Sequence, residues 1–150
     1  KRLPRLIVAT IVLVCMFCTS AFAGFYGEAC EITYFDDGSY CISRIVEYSS
    51  PASRAANTVA EGERSIDYYS ASGDMKFSLT LHGTLLRRNI ALATSADYDY
   101  DIYDTLWSLD NGRAWCTGAT ALAEATFSHP LLSDVVINTS LSCSPDGHLF

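Results

Sequence analysis

The stretch Met75–His82, which reads MKFSLTLH, decides the fold class because apolar and polar residues alternate along its whole length. Apolar side chains stand at every second position, and Lys, Ser, Thr and His stand between them. Successive side chains of a β-strand point to opposite faces, so the alternation predicts a strand with one buried and one solvated face. Antiparallel sheets that cover a core on one side have this pattern.

Further β-rich segments lie on both sides of this strand. Residues 30–35 and 40–48 flank the turn sequence Asp36–Ser39 and together predict a hairpin. Val135–Cys143 alternates again and predicts a final strand. Several short strands joined by turns are typical of an antiparallel sandwich or barrel.

A second hairpin is expected around Asp110–Gly112, which is a strong turn sequence. Residues 102–109 and 114–117 would be its two strands. A three-residue turn at this place would put Trp107 opposite Trp115 as an aromatic cross-strand pair.

Helical structure is expected in few places. Residues 49–65 resemble a long loop with room for one helical turn, and residues 84–94 fit either a strand or a helix. Residues 119–127 have the best helical composition because they are rich in alanine. The sequence therefore predicts that residues 24–150 form a single, mainly β domain with one or two short helices.

Residues 1–23 have the three parts of a secretory signal peptide. A basic start precedes an apolar run from residue 6 to residue 17, and Ala21 and Ala23 occupy the small-residue positions before Gly24. The apolar run is shorter than the roughly 20 residues that span a bilayer. We therefore expect a cleaved signal, a secreted or periplasmic protein, and no membrane insertion after cleavage.

The charge of the chain narrows the class of partner. The formal net charge is −7, and the predicted signal peptide contains basic residues but no acidic ones, so the exported part is more acidic still. Such a surface repels nucleic acid phosphates and anionic lipids, and it attracts cations. A basic protein or a glycan is the expected partner, and nucleic acid is not.

Four cysteines follow the signal peptide, and an even number in an exported chain predicts two disulfides. Three pairings are open. Loop-closure entropy favours the two local pairs, whereas a two-residue turn at Asp37–Gly38 would put Cys41 opposite Tyr34 rather than Cys30. No C-x-x-C spacing remains to suggest zinc. The predicted disulfide residues are Cys30, Cys41, Cys116 and Cys143.

Catalytic signatures are missing from the sequence. It has no G-x-S-x-G elbow, H-E-x-x-H pair, P-loop or dinucleotide-binding glycine pattern. His82, His129 and His148 are scattered along the chain. We therefore assign no catalytic residue and expect no cofactor, and a binding role is favoured over an enzymatic one.

One segment, Asp97–Asp104 (DYDYDIYD), stands out as a candidate binding site and is called here the acidic tyrosine segment. On a strand, its carboxylates at spacing two would share one face and its tyrosines the other. The structural interpretation is a solvated sheet edge, where like charges also discourage aggregation. The functional interpretation is a contact surface with these candidate binding residues: Asp97, Tyr98, Asp99, Tyr100, Asp101 and Asp104.

The same spacing resembles the start of a calcium-binding loop, D-x-D-x-D. Ile102 and Ser108 stand where that loop requires Gly and Glu, so only a non-standard calcium site remains as an alternative. Taken together, the sequence favours a secreted binding module, such as an inhibitor or a surface-recognition factor. A small hydrolase with a hidden site and a structural envelope or coat protein are the alternatives.

Overall fold

The computed structural model describes residues 28–48, 59–87, 91–144 and 148–150. The predicted signal peptide lies outside these ranges. Residues 49–58, which are most of the predicted loop at residues 49–65, lie outside them too, as do residues 88–90 and 145–147. The eight strands are β1 (Glu28–Tyr34), β2 (Tyr40–Glu47), β3 (Val59–Tyr69), β4 (Met75–Arg87), β5 (Ala91–Ile102), β6 (Ser108–Thr117), β7 (Thr120–His129) and β8 (Leu132–Ser142).

The strands form two antiparallel sheets, and within each sheet every strand pairs with its neighbours in sequence. Sheet A contains β1 to β5 in that order, and sheet B contains β6 to β8. The two sheets pack on each other, with β6 against β5, β7 against β4 and β5, and β8 against β3 and β4. The prediction of a mainly β, antiparallel domain is confirmed.

The stretch Met75–His82 begins β4, which lies between β3 and β5 in sheet A. Its apolar residues Phe77, Leu79 and Leu81 have no exposed surface at all. They belong to two clusters of buried side chains that join the sheets, and Phe77 stacks on Phe127 of sheet B at a ring distance of 3.9 Å. Strict alternation therefore correctly identified a strand that carries four of the six largest fully buried side chains.

The predicted first hairpin is also confirmed. Strand β1 pairs with β2 from Glu28 opposite Val46 to Tyr34 opposite Tyr40. Gly38 adopts a φ of 84° in the turn, a conformation that glycine accepts without steric cost. The final strand is confirmed as well, because β8 covers Leu132–Ser142.

The prediction of one or two short helices is wrong for the residues that the structure describes, since none of them is helical. Residues 119–127 fall almost entirely within β7, where buried and half-buried positions alternate. Ala121, Ala123 and Ala125 face the core, and these small side chains let sheet B approach sheet A closely. Alanine-rich composition indicated a helix, but tertiary packing overrides that weak preference.

The predicted turn at Asp110–Gly112 is wrong too, because these residues lie inside β6 at a shift of register between Leu109 and Asn111. A Cβ at Gly112 would come within 2.5 Å of the Tyr98 hydroxyl oxygen, so the glycine makes room for that side chain. The expected tryptophan pair does not form. Trp107 is buried before β6 begins, whereas Trp115 lies opposite Leu122.

The predicted disulfides are not supported, because no disulfide joins any two of the four cysteines of residues 24–150 in the structure. Cys30 lies opposite Arg44 and Cys41 lies opposite Thr33. The two residues are therefore three positions out of register and on opposite faces of sheet A.

Cys116 and Cys143 are separated in a different way. They lie on either side of β7, in β6 and just after β8, where strands two apart are roughly 10 Å from each other. A disulfide needs Cα atoms within about 7 Å. Cys116 is exposed and Cys143 is buried. The correction follows from sheet register, which cysteine counting does not reveal.

Candidate functional site

The acidic tyrosine segment lies on β5, at one edge of sheet A, and continues into the turn that follows. Asp97, Asp99 and Asp101 lie opposite His82, Thr80 and Ser78 of β4. The three aspartates are exposed and share the outer face of sheet A, which points away from sheet B.

The tyrosines of the segment do not share that face. Tyr98 packs against both core clusters, and Ile102 joins one of them. Tyr100 keeps 46% of its surface exposed while its ring meets the edge of Phe127 at 6.4 Å. The strand therefore has a carboxylate side and an aromatic side, and only the carboxylates lie together on the open face.

Asp104 is separated from the other aspartates. It lies in the turn after β5, where its Oδ1 accepts a hydrogen bond from the Leu106 amide at 3.1 Å and its Oδ2 accepts one from Lys76 Nζ at 3.1 Å. The Leu106 amide and then the Lys76 ammonium hold the pKa of Asp104 below its usual value. This residue stabilises a turn rather than extending the carboxylate row.

Two residues that the sequence did not assign to the site complete the carboxylate row. His82 Nε2 lies 3.2 Å from Oδ2 of Asp99, and His82 Nδ1 lies 3.4 Å from Oε2 of Glu63 on β3. A neutral imidazole has one N–H and donates to one of these carboxylates, whereas the imidazolium donates to both. The polar position of His82 in the alternating strand was the only signal of its place, and nothing in the sequence linked it to Glu63.

Glu63 also accepts a hydrogen bond from Tyr48, which follows β2. Partial burial of the phenol, that hydrogen bond and the charge of Glu63 raise the pKa of Tyr48 to about 12. A polar line therefore crosses sheet A from Tyr48 through Glu63 and His82 to Asp99. We call the outer surface formed by Glu63, His82, Asp97, Asp99 and Asp101 the acidic face.

Two cations of sheet A, Arg44 and Lys76, have carboxylate partners of their own. Arg44 lies 2.9 Å from Asp67, and Lys76 lies 3.1 Å from Asp104. Asp67 is buried, and burial raises its pKa while the Arg44 charge opposes that shift. Within the described ranges, no lysine or arginine pairs with Asp97, Asp99 or Asp101.

A cavity of about 240 Å³ lies elsewhere, between β3 and the edge strand β8. Its lining contains no carboxylate and no imidazole, and Arg64 there donates hydrogen bonds to Ser43 and to the Ser140 carbonyl. The residues that line it are Arg64, Ile66, Leu122, Asn138, Thr139 and Ser140. This cavity therefore contains neither two opposed carboxylates nor a Ser-His-Asp arrangement, the two kinds of site that the hydrolase alternative would need.

The part of the chain that the structure describes has no cluster of metal-ligating side chains and no membrane-spanning helix. There, no group of three or more His, Cys, Asp or Glu side chains is arranged to hold a metal ion. The aspartates of β5 follow an extended strand rather than curling into the loop that calcium needs. No helix of the described ranges is long and apolar enough to cross a membrane.

Comparison with known proteins gives no relative for this chain. No family model, no curated protein and no solved structure matches it.

Proposed function

We propose that this protein is an exported binding module whose acidic face docks a basic patch of another protein. The observation that supports the proposal is the row of exposed carboxylates on β5, whose neighbouring cations are bound to other carboxylates. A row of exposed carboxylates that have no lysine or arginine partner among the described residues attracts an oppositely charged surface over long range and raises its association rate. The export component rests on residues 1–23.

A basic protein fits this face better than a glycan. The side chains of the acidic face are carboxylates and one imidazole, whereas Tyr98 packs against the core and the half-exposed Tyr100 lies on the opposite face of β5. Lysine and arginine side chains of a partner could reach several carboxylates at once, because alternate residues of a strand are roughly 7 Å apart.

The test uses the purified protein and a decalysine peptide as the cationic probe. Changing Asp97, Asp99 and Asp101 together to Asn should lower the association rate about tenfold at low ionic strength. The difference should shrink as salt is added, because salt screens exposed charges. Stability should change by less than about 0.5 kcal/mol, since exposed charges contribute little.

A matched control removes the same number of charges elsewhere. Asp36, Asp110 and Asp134 are exposed and lie in other parts of the fold, so their change to Asn should leave the rate closer to that of the wild type. Equal slowing by both triple variants would show that only net charge matters, and it would overturn the proposal of a localised site.

A further inference from the structure

The opposite edge of sheet A is formed by β1, and it differs from the other strands in its exposure. Every described side chain from Cys30 to Tyr34 is exposed, on the inner as well as the outer face. Ile32 keeps 41% of its surface exposed and Tyr34 keeps 70%. Sheet B packs over β3 to β5, so β1 lies at the side of sheet A that sheet B does not cover.

The hydrogen-bond phase of β1 can be read from the hairpin turn. The Phe35 amide donates to the Ser39 carbonyl at 2.9 Å, which makes these two residues a hydrogen-bonded pair. Such pairs alternate along an antiparallel ladder, so Thr33 and Glu31 bond to β2. The amide and carbonyl groups of Cys30, Ile32 and Tyr34 therefore point away from β2 towards the free edge.

Several common protections of an edge strand are missing from β1, although Glu31 places one charge on its inner face. Natural sheets guard such edges with lysine, proline or a β-bulge. Strand β1 has neither residue, and its register with β2 runs without a shift from end to end. Its free backbone groups thus form a regular template for another strand.

We propose that β1 pairs with β1 of a second copy of this chain, antiparallel and centred on Ile32, to form a continuous ten-stranded sheet. In this register Ile32 meets Ile32 of the second copy, Cys30 meets its Tyr34, and Glu31 meets its Thr33. Within residues 30–34 no carboxylate opposes another and exposed apolar side chains meet each other, whereas Glu28 and Asp36 of the two copies oppose each other only at the two ends of the pair. The amide and carbonyl groups of Ile32 point to the free edge, so the two copies of Ile32 can exchange hydrogen bonds at the centre of the pair.

The alternative centre on Cys30 is less complementary. It would put Glu28 opposite Ile32 of the second copy, and the partner of Tyr34 would fall before the described residues. The inference concerns the opposite edge from the acidic face and does not depend on the proposed function.

Sedimentation of the purified protein over a range of concentrations tests the proposal. The wild type should reach roughly twice the monomer mass, as expected for a two-fold dimer. Ile32→Lys should stay monomeric because it puts like charges at the dimer centre. The matched control, Val136→Lys on the edge strand β8, changes a side chain that is 54% exposed and should still dimerise. A wild type that stays monomeric, or an Ile32→Lys variant that dimerises equally, would overturn the proposal.

Disulfide trapping tests the register separately. In a hydrogen-bonded antiparallel pair the Cα atoms are about 5.5 Å apart, within disulfide range. Ile32→Cys, made with Cys30 and Cys116 changed to Ser, should therefore cross-link the dimer under mild oxidation. Native Cys30, with only Cys116 changed to Ser, should not, because the two copies of Cys30 would be roughly 13 Å apart along the strands. Cross-linking through native Cys30 but not in the Ile32→Cys variant would contradict the Ile32-centred register.

Discussion

The two edge strands of sheet A, β5 and β1, differ in the charge and exposure of their side chains. At one edge, β5 carries three exposed aspartates on its outer face and packs its inner face on sheet B. At the other edge, β1 is exposed on both faces and presents an apolar centre at Ile32. Charge makes the β5 edge unsuitable for pairing with a copy of itself but suitable for a cationic surface. On β1 the residue at the centre of the proposed pair, Ile32, is uncharged, and Glu31 beside it would oppose Thr33 of the second copy, so that edge can accept a strand.

The largest expected difference between the edges concerns their tyrosines. Tyr98→Ala should lower the free energy of unfolding by about 3 kcal/mol, because its ring packs against both core clusters and would leave a cavity above Gly112. Tyr34→Ala should cost much less, since that side chain is 70% exposed. Urea unfolding of both variants, at concentrations where the wild type is monomeric, measures the difference. Equal losses would mean that β1 is as much part of the core as β5.

The second difference concerns the backbone of β1 itself. Thr33→Pro removes an amide that bonds to β2 and should lower stability by about 2 kcal/mol. Ile32→Pro removes an amide that points to the free edge, so it should cost less while still blocking strand addition. Thermal unfolding of the two variants side by side checks which amides of β1 bond to β2 and which point to the free edge. A larger loss for Ile32→Pro than for Thr33→Pro would reverse the assignment of which groups are free.

The smallest effect concerns the turn that ends the β5 edge. The Leu106 amide and Lys76 hold the pKa of Asp104 below its usual value of 3.8. A carboxyl with a lowered folded-state pKa contributes stability above that usual value, and the contribution is lost as the pH falls through the lowered one. Asp104→Asn should therefore make the acid-side loss of stability shallower. Melting temperatures of both proteins between pH 2 and 6 check this, and identical slopes would mean that Asp104 contributes nothing on ionisation.

Local alternation predicted the strands that have one buried and one solvated face, such as β4 and the end of β8. The sequence prediction failed at β7, where alanine-rich composition suggested a helix. The alanines of β7 are small side chains that fit between the two sheets, and this packing outweighs their helix propensity. The prediction also failed at Gly112, where the contact with Tyr98 joins residues that are distant in sequence.

The candidate site was only partly visible in the sequence for a related reason. The carboxylates of β5 are close in sequence and could be found by their spacing. Glu63 and His82 join them through the register of β3, β4 and β5, which a single sequence does not specify. The same limit explains the cysteines, because their count is visible but their cross-strand positions are not.

The order of strands in sheet A places β1 and the acidic face at opposite margins of one layer. An antiparallel β1 pair is related by a two-fold axis perpendicular to the sheet at the pair, so the outer faces of both copies lie on the same side of the joined sheet. The two acidic faces of the dimer would be roughly 40 Å apart and turned relative to each other by the twist of the sheet. Such a pair can hold a ligand that repeats its basic patch at that spacing far more tightly than a single copy can, without any new contact. The sheet would fix the distance between the two acidic faces, so selectivity would depend on the spacing of charges on the ligand as well as on their number.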